Sequence, residues 1–203
     1  MPKEIEEKIK ETFQDSISVK ADIINKKTYE ILIEAGKEIA KSISNGGKLM
    51  ICGNGGSAAD AQHLVAEFLI RLTSEVNREG IPAISLAQDT STLTACLNDY
   101  GSDEIFKRVF SSLANEGDIL MAISTSGNST NVIETLKLAK TRGIYSLGFL
   151  GGDGGKALKY CDSAFVVPSK ITGRIQESHI TAGHAILQFV EDSLLKQGWL
   201  NRK

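Results

Sequence analysis

The sequence predicts a single α/β domain built around a parallel β-sheet. From Lys48 onward, short apolar runs alternate with amphipathic segments of helical length. Each run is as long as a strand and apolar on both faces, as strands buried in a parallel sheet are. The alternating β-α-β order indicates helices packed on that sheet. The runs cover residues 49–52, 83–86, 119–123, 144–150 and 164–167.

Length and composition limit the possible partners. The chain has 203 residues, enough to bury one three-layer core. With 41% apolar and 24% charged residues, disorder is excluded as the main description. A formal net charge of -2 predicts no nucleic-acid or membrane partner attracted by bulk charge. No apolar run approaches the roughly 20 residues that span a bilayer. An anionic ligand would therefore need local hydrogen-bond donors.

The cysteines and the N-terminus predict a cytoplasmic protein. The first residues lack the apolar core of a signal peptide. Cys52, Cys96 and Cys161 are an odd number of cysteines at unrelated spacings. Free thiols in a reducing cytosol are the expected state of such cysteines.

Residues 1–45 are predicted to form helices that extend the domain. They carry two apolar stripes at helical spacing. The short stripe is Ile5, Ile9 and Phe13, and the longer one is Ile24, Ile31, Ala35, Ile39 and Ile43. The stretch is too apolar for a solvated tail, so it packs either on its own domain or on another subunit. Gly46 and Gly47 end it, and residues 48–197 are expected to form the α/β core.

Two later helices have clear boundaries in the sequence. Asn131 and Glu134 suit a capping box at the start of a helix over 131–142. Gly143 suits the C′ position after that helix, because glycine adopts the left-handed conformation without strain. The last helix is predicted over 174–196.

Two loops between a strand and a helix have the composition of phosphate sites. Residues 53–57 (Gly-Asn-Gly-Gly-Ser) follow the first strand, and residues 124–130 follow the third. Doubly wound folds bind ligands at the carboxyl ends of strands, where helix N-termini offer free N–H groups to an anion. The second loop adds four hydroxyls within six positions, namely Ser124, Thr125, Ser126 and Ser129. We therefore predict that this loop binds phosphate. A loop whose serines and threonines only stabilise a turn does not need so many hydroxyls.

The first loop alone is a weaker signal, because glycine-rich turns are common. Gly53, Gly55 and Ala58 also fit the GxGxxA form of a dinucleotide fingerprint. However, no acidic residue ends the second strand where that fingerprint requires one, and the lysine of a P-loop is absent.

The histidines concentrate on the helices that follow or approach these loops. His63 and Glu67 are four residues apart, so they share a helix face and offer two metal ligands or an acid–base pair. For this pair alone, a solvated helix face or an ion pair in the N-terminal half of the chain is the favoured interpretation. The other two histidines, His179 and His184, both lie on the last helix. Histidine is scarce in this chain, and its concentration on helices beside two phosphate-type loops favours a functional role over a structural one.

Gln176 begins the same last helix, eight residues before His184 and about 12 Å from it along the axis. One metal would contact both side chains only if they lean together, if the helix is distorted, or if the ligands come from different subunits. His179 is rotated roughly 140° from His184. It is therefore either a supporting partner of a ligand or a core histidine.

Three motifs together resemble a known family. Cys-Gly-Asn-Gly-Gly-Ser begins at Cys52, Ile-Ser-Thr-Ser-Gly-Asn-Ser at Ile123, and Arg-Ile-Gln-Glu-x-His-x-x-x-x-His at Arg174. In this order they resemble the sugar isomerase (SIS) fold, and more narrowly the phosphoheptose isomerases. The resemblance implies a three-layer α/β/α sandwich with a five-stranded parallel sheet and an N-terminal helical extension. It also implies a homotetramer with sites at subunit interfaces.

The same resemblance implies conversion of D-sedoheptulose 7-phosphate to D-glycero-D-manno-heptose 7-phosphate, the first step toward activated heptose for surface polysaccharide. It implies one zinc ion per subunit, held by His63, Glu67, Gln176 and His184. The implied sugar-phosphate contacts are Asn54, Gly55, Gly56, Ser57, Glu67, Asn98, Asp99, Ser124, Thr125, Ser126, Ser129 and Gln176. Glu67 is the candidate base and His184 the candidate acid. The segment before Arg174 departs from the family, so none of its residues is assigned.

Two other functions compete with the enzyme. A relative of this fold is a non-catalytic adaptor that binds the bacterial replication initiator protein, and it lacks counterparts of Glu67 and His184. This chain has both residues, which favours the enzyme. SIS domains that sense sugar phosphates or belong to synthases usually sit in longer chains with further domains, which this sequence does not show.

Overall fold

The computed structural model describes residues 3–87 and 89–201. The predicted domain limits, 1 and 203, lie outside the described residues, as does Gln88. The elements in chain order are α1 (Lys3–Asn25), α2 (Ile31–Ser44), β1 (Leu49–Gly53), α3 (Gly56–Leu69), β2 (Ala83–Ser85), α4 (Thr90–Tyr100), α5 (Ile105–Leu113), β3 (Ile119–Ser124), α6 (Thr130–Thr141), β4 (Tyr145–Gly151), β5 (Ser163–Val167) and α7 (Thr172–Lys196).

The five strands form one parallel sheet in the order β2-β1-β3-β4-β5. This confirms the predicted sheet, and every predicted strand end lies within one residue of the observed end. The chain runs outward from β1 to β2 and then returns to the other side of β1 as β3. At this switch point Gly53 pairs with Ile123, so the loops after β1 and β3 open side by side.

Helices cover both faces of the sheet, which confirms the three-layer sandwich. Alternate residues of each strand point to opposite faces. Ile51 and Met121 therefore join one core with α2, α3 and α7. Met50 and Leu120 join the other with residues of α4, α5 and α6. All four of these strand residues are fully buried.

The N-terminal helical region is divided, whereas the longer apolar stripe had predicted continuity from Ile24 into Ile31. Lys27 has a φ of 55°, a left-handed conformation that cannot continue a right-handed helix. A short 3₁₀ turn over Thr28–Glu30 then leads into α2. Of the two helices, α2 buries Ala35, Ile39 and Ile43 in its own domain, and α1 leaves most of its apolar residues exposed.

The helix after the second loop corrects one local prediction and confirms another. Gly143 has a φ of 66° directly after the C-cap Arg142, as expected of a C′ glycine. The capping box was wrong. Ser129 is the N-cap, and Glu134 forms an ion pair with Lys137 instead. Within the described residues, no helix is long and apolar enough to cross a bilayer.

Candidate active site

The two phosphate-type loops meet at the carboxyl ends of β1 and β3. The side-chain amides of Asn54 and Asn131 exchange two hydrogen bonds, of 2.8 and 3.0 Å. Gly55 is the N-cap of α3 with a φ of 54°, a conformation that favours glycine. Ser57 is buried, and its N–H donates to the Asn54 carbonyl at 2.9 Å. The asparagine pair therefore links the first loop to the first turn of α6, a link for which the sequence offered no local signal.

The hydroxyl loop is shaped by its own side chains. The Ser124 hydroxyl accepts from the Gly127 N–H at 3.1 Å and lies 3.2 Å from the Ser129 hydroxyl. The Ser126 hydroxyl accepts from the Asn128 N–H at 3.1 Å. A hydroxyl that accepts one bond can still donate another. The hydroxyls thus stabilise the turn by accepting hydrogen bonds from its backbone. They also leave donors for an anion at the N-terminus of α6.

A cleft of about 700 Å³ opens beside this loop. Gly127 has a φ of 62°, and a Cβ there would collide with the backbone of Gly154, so the loop packs directly on the turn after β4. The cleft is lined by Thr125 and Ser126 from the loop, and by Gly151, Gly152, Asp153, Pro168, Ser169, Lys170, Thr172 and Ile175. Sequence reasoning missed Asp153, although the glycines around it resemble the two loops already recognised.

Gln176 lies over the first loop rather than beside His184. A Cβ added to Gly56 would lie 2.9 Å from Gln176 Cδ and closer still to Nε2. The amide of Gln176 therefore covers the N-terminus of α3, where it can contact a ligand held by the loops.

The remaining three predicted zinc ligands converge from α3 and α7. His63 Nε2 lies 2.8 Å from His184 Nε2. Glu67 Oε1 lies 3.7 Å from His63 Nε2. All three side chains line one cavity of about 500 Å³. The His63 side chain is 46% exposed and that of Glu67 is 21% exposed, so the cluster opens to the surface of the single chain.

This donor set suits zinc in its chemistry. Imidazole nitrogen and carboxylate oxygen are both common zinc ligands. The separation of 2.8 Å between the two imidazoles is that of a hydrogen bond, in which one ring donates and the other accepts. As the side chains stand, the described residues contain no group of three or more His, Cys, Asp or Glu arranged to hold a metal ion.

Two further ionisable groups lie on the helices that carry the cluster, Asp60 on α3 and His179 on α7. Burial raises the pKa of Asp60, an effect that the nearby His63 partly offsets, and its Oδ2 has no hydrogen-bond partner among the described residues. His179 packs against Phe149 and Phe165 and donates from Nε2 to the Leu150 carbonyl at 3.0 Å. Burial lowers the pKa of His179 to about 4. His179 is therefore a neutral core histidine that anchors α7 to β4.

Asn98 and Asp99 lie apart from the loops in the single chain. Both are exposed on the last turn of α4, and the Asn98 amide donates to the Asp99 carboxylate at 2.7 Å. Asp99 lines a separate cleft between α4 and α5 with Tyr100 and Arg108. Their contact with substrate stays a prediction.

The sheet order and the paired loops at its switch point define an α/β protein of the sugar isomerase class. A model of the SIS domain family matches residues 12–151. A phosphoheptose isomerase of Thermodesulfovibrio yellowstonii is 46% identical over 193 residues, covering 95% of this chain and 94% of its own. One from Aliarcobacter butzleri is 51% identical over 165 residues, covering 81% and 86%. The structure of phosphoheptose isomerase GmhA from Neisseria gonorrhoeae superposes with a TM-score of 0.85 at 39% identity, covering 93% and 99%.

The chain belongs to the SIS domain family, and within it to the phosphoheptose isomerases. It is accordingly an enzyme, a phosphosugar isomerase. These relatives support the enzyme, and none of them supports the adaptor.

Proposed function

We propose that this chain converts D-sedoheptulose 7-phosphate to D-glycero-D-manno-heptose 7-phosphate. The names of the relatives indicate a heptose phosphate. The observation that carries the proposal is the convergence of His63, Glu67 and His184 near two phosphate-type loops. His63 and His184 are 121 residues apart in sequence. A ketose–aldose isomerisation needs a base and an acid at one site, and Glu67 and His184 would supply them.

The length of α3 between the first loop and His63 supports a seven-carbon substrate. The paired loops offer N–H and hydroxyl donors for the phosphate on C7. His63 follows Gly56 by seven residues on α3, or about 10 Å along the axis. Six carbon–carbon bonds in an extended chain cover roughly 7 Å, and the phosphate adds to that length. A sugar phosphate anchored at the loops therefore presents C1 and C2 to the cluster.

The reaction moves one proton between neighbouring carbons. The Glu67 carboxylate takes a proton from C1, and His184 donates a proton to the carbonyl oxygen on C2, which gives the enediol. Glu67 then returns its proton to C2, and His184 takes the proton of the C1 hydroxyl, which leaves the aldose. His63 lies within hydrogen-bond distance of His184 and can orient its ring. The Gln176 amide is proposed to hold a sugar hydroxyl near the loops.

We propose one zinc ion per subunit, which His63, Glu67, Gln176 and His184 would hold. A zinc ion so bound would polarise the carbonyl and the adjacent hydroxyl, which would make the C1 proton easier for Glu67 to remove.

Assembly and location are part of the same proposal. Ile5, Ile9, Phe13 and Ile17 lie one turn apart on α1 and are 45–69% exposed. A row of exposed apolar residues on one helix suits a subunit interface, which supports the homotetramer. The exposed His63–His184 pair supports a site at that interface.

Cys52, Cys96 and Cys161 are unpaired, which supports a cytoplasmic enzyme. The heptose product would serve surface polysaccharide, lipopolysaccharide included.

A coupled assay of sedoheptulose 7-phosphate turnover tests the proposal. Glu67→Gln keeps size and polarity but removes the base, so turnover should fall by roughly 10²- to 10⁴-fold. His184→Ala should behave in the same way, and both variants should lose zinc if the residues are ligands. Sugar-phosphate binding should survive, because the hydroxyl loop does not depend on Glu67.

Glu34→Gln, the same change on the exposed face of α2, is the matched control and should leave turnover intact. Chelation should abolish turnover and zinc should restore it. If the Glu67 and His184 variants isomerise at the parental rate, the mechanism is wrong. If the parent does not turn over the sugar and binds the replication initiator, the adaptor is the correct function.

A further inference from the structure

Arg78 is a loop residue with a buried side chain. It lies between α3 and β2, where arginine ordinarily points into water. Its side chain is only 1% exposed and forms an ion pair from Nε to Glu191 Oε2. Glu191 lies on α7, and its side chain is equally buried. The loop is therefore drawn into the domain by a charged pair rather than by an apolar residue.

The rest of the Arg78 guanidinium caps α3. The last carbonyls of a helix have no partner within the helix. Nη1 donates to the Phe68 carbonyl at 2.9 Å, and Nη2 donates to the Glu67 carbonyl at 2.9 Å. Nη1 also donates to the Glu79 carbonyl at 3.0 Å. One of the capped carbonyls thus belongs to the candidate base itself.

Glu191, the ion-pair partner of Arg78, lies on the same helix as the candidate acid, His184. Glu191 follows His184 by seven residues on α7, which is nearly two turns and places both on one face. The two helices are also in contact next to His63 and His184, because a Cβ on Gly183 would lie 2.6 Å from Leu64 Cδ2. A single guanidinium consequently connects the backbone at Glu67 to the helix that carries His184.

Stability alone does not account for this pair. A buried ion pair is often no more stabilising than apolar residues of similar volume, because both charges lose their water. In addition, Glu191 Oε1 has no hydrogen-bond partner among the described residues. An unsatisfied buried oxygen is a further cost that a pair of methionines would avoid.

We propose that Arg78 and Glu191 are positioning residues, which hold α3 against α7 so that Glu67 and His63 face His184. This rests on the proposed function in assigning chemistry to those three residues. The pair touches neither substrate nor metal in this account. The pair acts by fixing the position of α3 relative to α7.

The decisive variant is Arg78→Met/Glu191→Met, because the two methionines fill a similar volume without a buried charge. It should fold with a thermal midpoint at or above the parental value. Its zinc affinity, measured on metal-free protein by chelator competition, should fall 10- to 100-fold, as for other residues that support ligands. In turnover, kcat should fall while KM for the sugar phosphate stays within twofold, because the loops are unchanged.

Arg78→Lys tests the hydrogen bonds to the α3 carbonyls separately from the ion pair with Glu191. Lysine keeps the ion pair but cannot span three carbonyls and a carboxylate at once. It should therefore show the same loss of zinc affinity. In both variants, amide hydrogen exchange of the metal-free protein should quicken at residues 66–70. Lys48→Met is the control, since it breaks the ion pair with buried Asp118 that joins the segments before β1 and β3. It should lower stability and leave zinc affinity unchanged.

Parental zinc affinity and parental kcat in the double methionine variant would overturn the proposal. Equal loss of zinc affinity in Lys48→Met would also overturn it, because general destabilisation would then be the cause. A parent without turnover would refute the proposed function instead. Exchange at residues 66–70 would still decide whether the pair holds α3, and unchanged exchange would refute the positioning role.

Discussion

The sharpest test of the loop region is Gly56→Ala. Gly56 is the first residue of α3 and does not have the left-handed backbone of Gly55. Alanine is therefore compatible with its conformation, and its higher helix propensity favours the fold by up to about 1 kcal/mol. The three heavy atoms nearest to the new methyl group all belong to the side-chain amide of Gln176.

The size of the perturbation follows from the contacts. The alanine Cβ would lie 2.9 Å from Gln176 Cδ and closer to Nε2, whereas ordinary contact begins at 3.4 Å. The amide must therefore withdraw by about 1 Å. Such a displacement of a positioning group can lower turnover by about 10²-fold. We expect this loss of kcat together with an unchanged or slightly higher thermal midpoint.

The assay is coupled turnover of sedoheptulose 7-phosphate alongside thermal unfolding. The control is a double-mutant cycle with Gln176→Ala, in which the methyl group has no amide to displace. Gly56→Ala should then have no further effect on turnover. Parental turnover in Gly56→Ala would show that the chemistry does not use Gln176 where the structure places it. An equal loss in both backgrounds would show that the methyl group acts on something other than Gln176.

Three further predictions concern the loop, the core and the assembly. Ser126→Ala/Ser129→Ala should weaken sugar-phosphate binding in calorimetry by several-fold or more, since each hydrogen bond to a charged group contributes roughly 1.5–3 kcal/mol. The folded pKa of His179, about 4, lies below its ordinary value of 6.5, so stability should be lost as pH falls from 6.5 to 4. The loss should reach about 3 kcal/mol at 1.36 kcal/mol per pKa unit, and His179→Asn should flatten it in denaturant titrations. Light scattering should give a mass near four chains, and Phe13→Glu should reduce it.

Each of these has a clear contrary result. Unchanged affinity in the double serine variant would remove the hydroxyl loop from the site. A parental pH profile in His179→Asn would show that another group governs acid stability. A fully active monomer would refute the interfacial site.

Much of the fold was predictable because it depends on burial within single segments. Strands covered on both faces must be apolar throughout, so the run ending at Ile123 marked β3 to within one residue. The glycine loops were visible for a similar local reason, since Gly55 needs a backbone that other residues rarely adopt. The break at Lys27 was not predictable, because the apolar spacing continues across the residue whose backbone is left-handed.

The candidate site was predictable in its residue types and less so in its arrangement. Spacing alone placed His63 and Glu67 on one face, because a helix has a fixed period. Spacing also indicated that Gln176 lies too far along α7 to join His184 without a rearrangement, and the structure places it at Gly56. The capping role expected of Asn131 was wrong because a partner 77 residues away, Asn54, competes for its amide.

The sequence alone thus determined the sheet, the two loops and the kinds of side chain available for chemistry. Each of these depends on the burial or the backbone conformation of residues that are neighbours in sequence. Only the tertiary structure decided which distant residues meet. His63 and His184, and likewise Arg78 and Glu191, come from segments more than 100 residues apart. Contacts of this kind depend on how α3 and α7 cross the same face of the sheet. No local periodicity encodes that geometry, since it results from the packing of the whole core.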